Sequence, residues 1–323
     1  FQEVEQMNLF KDMVCYQEEV RDPSRMAEVL NRVIEKAIRG SAPAQINVPR
    51  DYWTQVIDIE LPPIVRFERQ GGGKDAIQRA AKMLSDAKFP VILSGAGVVI
   101  GDAINECKAL AEKLDAPVCN GYQHNDSFPG SHPLAVGPLG YNGSKAAMQL
   151  ISKADVVLAL GTRLNPFSTL PGYGIDYWPK NANIIQVDMN PDRIGLTKKV
   201  TVGIAGDAKQ VAKQIFDKLS SNAGDSGRED RKNLIHQTKS AWLQTLTSLD
   251  HEDDDPGTVW NKEARERDKD RMSPRQAWRA IQAAMPEDAI ISSDIGNNCA
   301  IGNAYPTFEK PRKYLAPGLF GPC

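Results

Sequence analysis
Hydrophobic positions along the chain keep two alternating rhythms, a helical spacing of about 3.6 residues and short unbroken apolar runs. The first helical stretch carries Met26, Val29, Leu30, Val33, Ile34 and Ala37 on one face. Asp22 can cap it, Pro23 suits its first turn, and Gly40 ends it. Ala44 to Val48 then reads as a short buried strand closed by Pro49. From Arg50 to Gly73, Pro62-Pro63 and Gly71-Gly72-Gly73 break every pattern, which predicts a linker and a domain boundary near residue 70.

Between Lys74 and Leu219 helical and strand patterns alternate. Ile77, Ala80, Ala81 and Leu84 mark a helix, Val91-Ile92-Leu93 a strand, Ile104, Cys107, Ala111 and Leu114 a helix, and Ala116 to Cys119 a strand. A helix at 146–151, strands at 155–160, 184–188 and near 200–204, and a helix from Ala208 to Leu219 complete the series. Strands this uniformly apolar have no solvent face, so the pattern predicts a doubly wound α/β domain, a parallel sheet with helices on both sides. After Ser220 the chain turns polar, with a helix from about Arg231 to Leu249 and an acidic run, Glu252-Asp253-Asp254-Asp255. That run reads as a solvated connector, because adjacent carboxylates converge on one ion only when fixed elements surround them. A further α/β unit opens at Ser273-Pro274, carries Ala277, Trp278, Ile281 and Met285 on its helix face, and continues into strands at 289–292 and 313–316.

Composition narrows the classes of function. A chain of 323 residues with 41% hydrophobic and 25% charged residues can bury a sizeable core and is not compositionally disordered. No apolar run approaches the ~18 residues a spanning helix needs, so a membrane partner is not expected. A formal charge of −2, with Lys and Arg interspersed among Asp and Glu, leaves no basic surplus for a phosphate backbone, so nucleic acid is not expected either. The five cysteines, Cys15, Cys107, Cys119, Cys299 and Cys323, lie far apart, without metal or redox spacing, and read as reduced thiols of a cytoplasmic protein. Phe1-Gln2-Glu3 carries neither an initiator Met nor a signal pattern, and the sequence stops within Pro317 to Cys323, so both ends look cut and an internal fragment is expected.

Several motifs invite chemistry. Ser94-Gly95-Ala96-Gly97-Val98-Val99-Ile100-Gly101 lies between a strand and a helix, where backbone amides can hold a pyrophosphate. Its third glycine falls one residue late for the dinucleotide fingerprint, and Asp115 precedes a strand instead of ending one, so a tight turn that needs glycine is the better reading. Leu160-Gly161-Thr162-Arg163 and Val187-Asp188 sit at carboxyl ends of strands, where open sheets place ligands. His124 and His132 share one loop and read as structural rather than metal-binding. Asp294-Ile295-Gly296-Asn297-Asn298 follows a strand and opens a helix; glycine lets the backbone approach a ligand, and two amide side chains can donate to diphosphate oxygens, although a plain helix cap explains the same residues.

Together these segments resemble the thiamine-diphosphate family of acetolactate synthase and its relatives, over essentially the whole chain. Phe1-Gln2-Glu3 and Pro43 to Arg50 resemble the end of the pyrimidine-binding domain; Ile92 to Gly97, Ala154 to Arg163 and Ile184 to Asp188 the central domain; Asp294 to Asn298 and Lys313 to Cys323 the start of the diphosphate-binding domain. The resemblance implies a division into 1–60, 61–220, a charged linker with a helix at 221–272, and 273–323. Gly121 to Gly130, Gly137 to Gly143 and Asn165 to Trp178 are similar to the branch that acts on sulfoacetaldehyde.

That likeness implies conversion of sulfoacetaldehyde and phosphate to acetyl phosphate and sulfite through a carbanion of thiamine diphosphate, with Mg2+ as second cofactor and a homo-oligomer as the assembly. By the same likeness Gln2 lies near the reacting centre, Gly296, Asn297 and Asn298 contact the diphosphate, Gly321 offers a carbonyl to the cofactor's 4′-amine, and Cys323 wedges beneath the bent cofactor. Cysteine is smaller than the family's usual wedge. The activating glutamate and the magnesium ligands are not expected within residues 1–323, so these residues alone are expected to be catalytically inert. Two other readings stay open: a different thiamine enzyme, whose central domain carries FAD on groups such as Gly95 and Arg163, and a nucleotide-binding module without chemistry.

Overall fold
The computed structural model describes residues 3–63, 68–248 and 271–316, and the chain divides into two compact units, Phe1–Glu68 and Arg69–Cys323. Gln2, Gly321, Cys323 and the acidic run 252–255 lie outside the described residues.

In the first unit a short helix α1 (Gln6–Phe10) precedes strand β1 (Tyr16–Glu19), which pairs in parallel with β2 (Ala44–Asn47), Tyr16 lying opposite Ala44. Helix α2 (Met26–Gly40) connects them. Asp22 Oδ1 accepts from the Ser24 amide at 2.9 Å, capping the turn that leads into α2, while Ser41 takes the left-handed conformation that closes it. Only part of the face expected to be apolar is covered. Val29 and Val33 are buried with Val20, whereas Leu30, Ile34 and Ile38 lie exposed one turn apart.

The second unit is built on a six-stranded, all-parallel sheet: β3 (Pro90–Ser94), β4 (Val118–Asn120), β5 (Ala135–Pro138), β6 (Val156–Leu160), β7 (Asn183–Asp188) and β8 (Val202–Ala205), in the order β5-β4-β3-β6-β7-β8. The chain steps outward from β3 in one direction, returns, and steps outward in the other, which is the doubly wound order with its switch point between β3 and β6. Every residue of β3, β4 and β6 is buried, as the unbroken apolar runs require. Helices α3 (Lys74–Asp86), α5 (Ile104–Leu114) and α7 (Ala208–Lys218) pack as one layer; α6 (Lys145–Ile151) and α8 (Arg228–Ser248) pack against each other. Edge strand β5 has no clear signal in the sequence. Gly137 at φ +90° and Pro138 occupy half of it, and its pairing with β4 shifts register at Val118/Cys119.

At the switch point the turns after β3 and β6 touch. The Gly97 amide donates to Gly161 O at 2.8 Å, Gly161 sits at φ +62°, and a Cβ on Gly97 would come within 2.6 Å of Gly161 Cα. Close approach of two backbones therefore accounts for these glycines, as the tight-turn reading has it. The short helix α4 (Ala96–Ile100) follows this turn.

Helix α8, polar along most of its length, is anchored near its start by a buried arginine. Arg231 is 1% exposed and its guanidinium donates to five carbonyls: Leu114 at 2.8 Å, Asp115 at 3.0 Å, Lys88 at 2.6 Å, Gly224 at 2.6 Å and Ser226 at 2.8 Å. Two of these are carbonyls at the C-terminal end of α5, where a cation meets the negative end of the helix dipole. Arg228 pairs with Asp115 at 2.9 Å beside it.

Candidate functional site
Downstream of α8, helix α9 (Pro274–Ala284) begins with a full capping box, Ser273 Oγ accepting from the Gln276 amide while Gln276 Oε1 accepts from the Ser273 amide. Strands β9 (Ile291–Ser292) and β10 (Tyr314–Leu315) pair in parallel, and α10 (Asn297–Ala304) lies between them in sequence. The chain leaves the carboxyl end of β9 and turns into α10 at Gly296, which has φ 94° and ψ −146°. That backbone region is essentially restricted to glycine. No side chain caps the helix here, so its first amides face outward with Asn297 and Asn298, all exposed. On the other side of the helix Cys299, Ala300, Gly302 and Asn303 are buried.

This turn fits the diphosphate end of a cofactor. Free helix N-terminal amides and the positive end of the dipole favour an anion, glycine removes the Cβ that would keep oxygens away, and two carboxamides add neutral donors. Gly296, Asn297 and Asn298 lie in this turn, at the carboxyl end of a parallel strand pair. A cavity of about 890 Å³ elsewhere in the unit is lined mainly by apolar groups such as Leu134, Val136, Ile235 and Leu243 and does not include the turn.

A loop of the doubly wound domain grips this segment. The Gln123 amide donates to Asn303 Oδ1 at 2.8 Å, and Asn303 Nδ2 donates to Tyr141 O at 3.0 Å. Asn125 Nδ2 donates to Asn303 O at 2.9 Å and Pro306 O at 3.0 Å. Asp126 Oδ2 accepts from the Lys313 amide at 3.0 Å, and the Gly130 amide donates to Phe308 O at 2.9 Å. The Tyr122 hydroxyl lies 3.3 Å from Cys299 Sγ, and Gln123 Nε2 also reaches that sulfur. Burial, then the Cys299 contact, push the Tyr122 phenol well above its ordinary range. Asn125 and Asn303 are not legible as site residues in the sequence; the available signal is an amide in a helix segment, Cys299-Ala300-Ile301-Gly302-Asn303, that is otherwise small or apolar.

His132 Nε2 lies 3.2 Å from Glu112 Oε1 and its Nδ1 accepts from the Leu134 amide at 3.2 Å. Among the described residues no group of three or more His, Cys, Asp or Glu could hold a metal ion. Cys15, Cys107, Cys119 and Cys299 are free thiols; burial pushes Cys107 up to about 12, and Cys119 up as well, which makes both unreactive.

His124 yields a pH prediction. Burial holds its pKa below the ordinary 6.5, Arg163 adds to that, and Asp126 opposes it. Because the unfolded chain takes up this proton first, its contribution is fully present above pH ~6.5 and is lost as pH falls below that value. Urea midpoints at pH 7.5 and pH 5.5 should therefore differ less in His124→Gln than in the wild type; an equal difference would show that His124 takes no part.

Residues 77–215 match the family described as the central domain of thiamine pyrophosphate enzymes. Over all 323 residues the chain is 78% identical to a Rhizobium meliloti protein named "Probable sulfoacetaldehyde acetyltransferase", covering 55% of it. It is 76% identical to the sulfoacetaldehyde acetyltransferase of Roseovarius nubinhibens, covering 54%. The chain thus spans about half the length of these relatives. A crystal structure of benzoylformate decarboxylase from Polynucleobacter necessarius superposes with a TM-score of 0.67 over 97% of this chain and 53% of that one; at 17% identity it speaks to the fold.

Proposed function
From the match of residues 77–215 to the central domain of thiamine pyrophosphate enzymes and the 78% identity to the Rhizobium meliloti protein, we propose that the chain belongs to that family and works in the conversion of sulfoacetaldehyde and phosphate to acetyl phosphate and sulfite. The observation that carries the reading is the Gly296 turn, which presents unpaired helix amides and two carboxamides at the mouth of a parallel strand pair. Gly296, Asn297 and Asn298 would hold the diphosphate of thiamine diphosphate, with Gly321 and Cys323 at the 4′-amine and beneath the cofactor and Gln2 near the substrate. Bound there, the cofactor would supply the nucleophilic carbon and electron sink that cleavage of a carbon–sulfur bond requires. The chain's own part is to bind and aim: amides at 296–298 neutralise oxygens, and the buried face of α10 keeps them in place.

The reaction balances without an outside oxidant. The carbon–sulfur bond breaks and sulfite leaves with its electron pair; the aldehyde carbon gives up its hydrogen as a proton and the pair of electrons passes to the neighbouring carbon, which takes up a proton and becomes methyl, so that one carbon is oxidised to the acyl level as the other is reduced, and a phosphate oxygen bonds to the acyl carbon. Mg2+ belongs to this reading as the hard cation that suits diphosphate oxygens. So do a homo-oligomeric assembly, a cytoplasmic location and the division of the chain at residues 60, 220 and 272; no helix among the described residues is long and apolar enough to cross a membrane.

The test is sulfite release from sulfoacetaldehyde by the intact gene product. Release should require both thiamine diphosphate and phosphate, yield acetyl phosphate in equal amount, and exceed turnover of pyruvate. Faster conversion of pyruvate to acetolactate would replace the substrate assignment and leave the cofactor assignment standing.

A further inference from the structure
The turn at Gly296 follows Asp294, whose Oδ1 accepts from the Ile295 amide at 2.7 Å. Its helix lacks a side-chain cap, and the β9–β10 pair beneath it is two residues long. We propose that Asn303, clasped by Asn125, is the positioning residue that sets the aim of Gly296, Asn297 and Asn298 toward thiamine diphosphate; this rests on the cofactor reading above.

Asn303 is 0% exposed and uses both ends of its carboxamide, Oδ1 toward the Gln123 amide and Nδ2 toward Tyr141 O, while its own carbonyl accepts from Asn125. An amide at a fully buried helical position is a poor choice for stability alone. Asparagine is a weak helix former, and its burial merely exchanges hydrogen bonds with water for hydrogen bonds within the protein. What a satisfied buried amide supplies is a unique geometry, because any other rotation or shift of the helix leaves polar groups unpaired.

The lever is short. An eight-residue helix is about 12 Å long, so fixing its last turn at Asn303 and its first turn at Cys299, which meets Tyr122 and Gln123, fixes both its height and its rotation. The aim of the N-terminal amides follows from those two constraints. The same loop holds the neighbouring strand, since Asp126 accepts from the Lys313 amide immediately before β10. Residues 122–126 therefore act as a jig for α10 and for the start of β10.

Calorimetric titration of thiamine diphosphate into the intact gene product, well below its melting temperature, tests this. Asn303→Ala should raise the cofactor Kd about tenfold or more, and Asn125→Ala should do the same. The double variant should fall short of the product of the two, as expected for members of one network. Asn303→Asp, which keeps the acceptor toward Gln123, should recover part of the affinity and serves as the readout if the alanine variant does not fold. Arg231→Lys, which loosens the same unit far from the turn, should lower the melting temperature without shifting Kd. Wild-type affinity in Asn303→Ala, or an equal Kd shift in Arg231→Lys, would overturn the positioning role alone. A wild type that binds no thiamine diphosphate would overturn the underlying reading as well.

Discussion

Replacing Arg231 by methionine should destabilise the unit from Arg69 onward by about 3–5 kcal/mol, the range for removing one side of a buried charged network. Five carbonyls lose their donor at once. Each that stays dry costs about 1–3 kcal/mol, and partial rehydration keeps the sum below the simple total. Burial already disfavours the cation, with Asp115 the chief opposing influence. The arginine therefore stays because its planar fork reaches several acceptors that a lysine cannot serve together. Urea denaturation is the check: a lower midpoint at unchanged slope is expected, with Arg231→Lys between methionine and wild type. An unfolding free energy within about 0.5 kcal/mol of wild type, the range of ordinary surface changes, would show that α8 is held by something else.

Gly296→Ala should weaken thiamine diphosphate binding roughly 10- to 100-fold, equivalent to about 1.4–2.8 kcal/mol. At φ 94° and ψ −146° an added Cβ is strained by about 1–3 kcal/mol. The turn relaxes by rotating the amides of residues 297 and 298 away from their present direction, so the cost falls on the ligand. Melting temperature should change little, because the residue is exposed and buries no side chain. Fluorescence or calorimetric titration separates the two effects. Wild-type affinity in this variant would mean that the cofactor does not use this turn.

The doubly wound domain is legible in the sequence because its physics is local. Runs such as Val91-Ile92-Leu93 and Val156 to Leu160 lack a polar face, and that alone places them inside a covered parallel sheet. Strand β5 is not legible, since a glycine at positive φ and a proline erase its pattern and only its partner β4 defines it. Arg231 hides for the opposite reason: in a helix rich in charges one more arginine reads as solvated, and its five acceptors come from segments up to 143 residues away. At the site, the strand, glycine and helix order around Gly296, Asn297 and Asn298 fits an anion turn and a plain helix cap alike, and it is the family resemblance that points to the diphosphate. The sequence does not point to Asn125 and Asn303, whose pairing across 178 residues exists only in the folded chain.

The most direct test of the central claim is a crystal structure of the intact gene product with thiamine diphosphate bound. The account predicts diphosphate oxygens within hydrogen-bonding distance of the backbone amides at 296–298 and of the Asn297 or Asn298 side chain. Diphosphate density elsewhere, at the Gly95–Gly97 turn for example, with the Gly296 turn left to solvent, would contradict it.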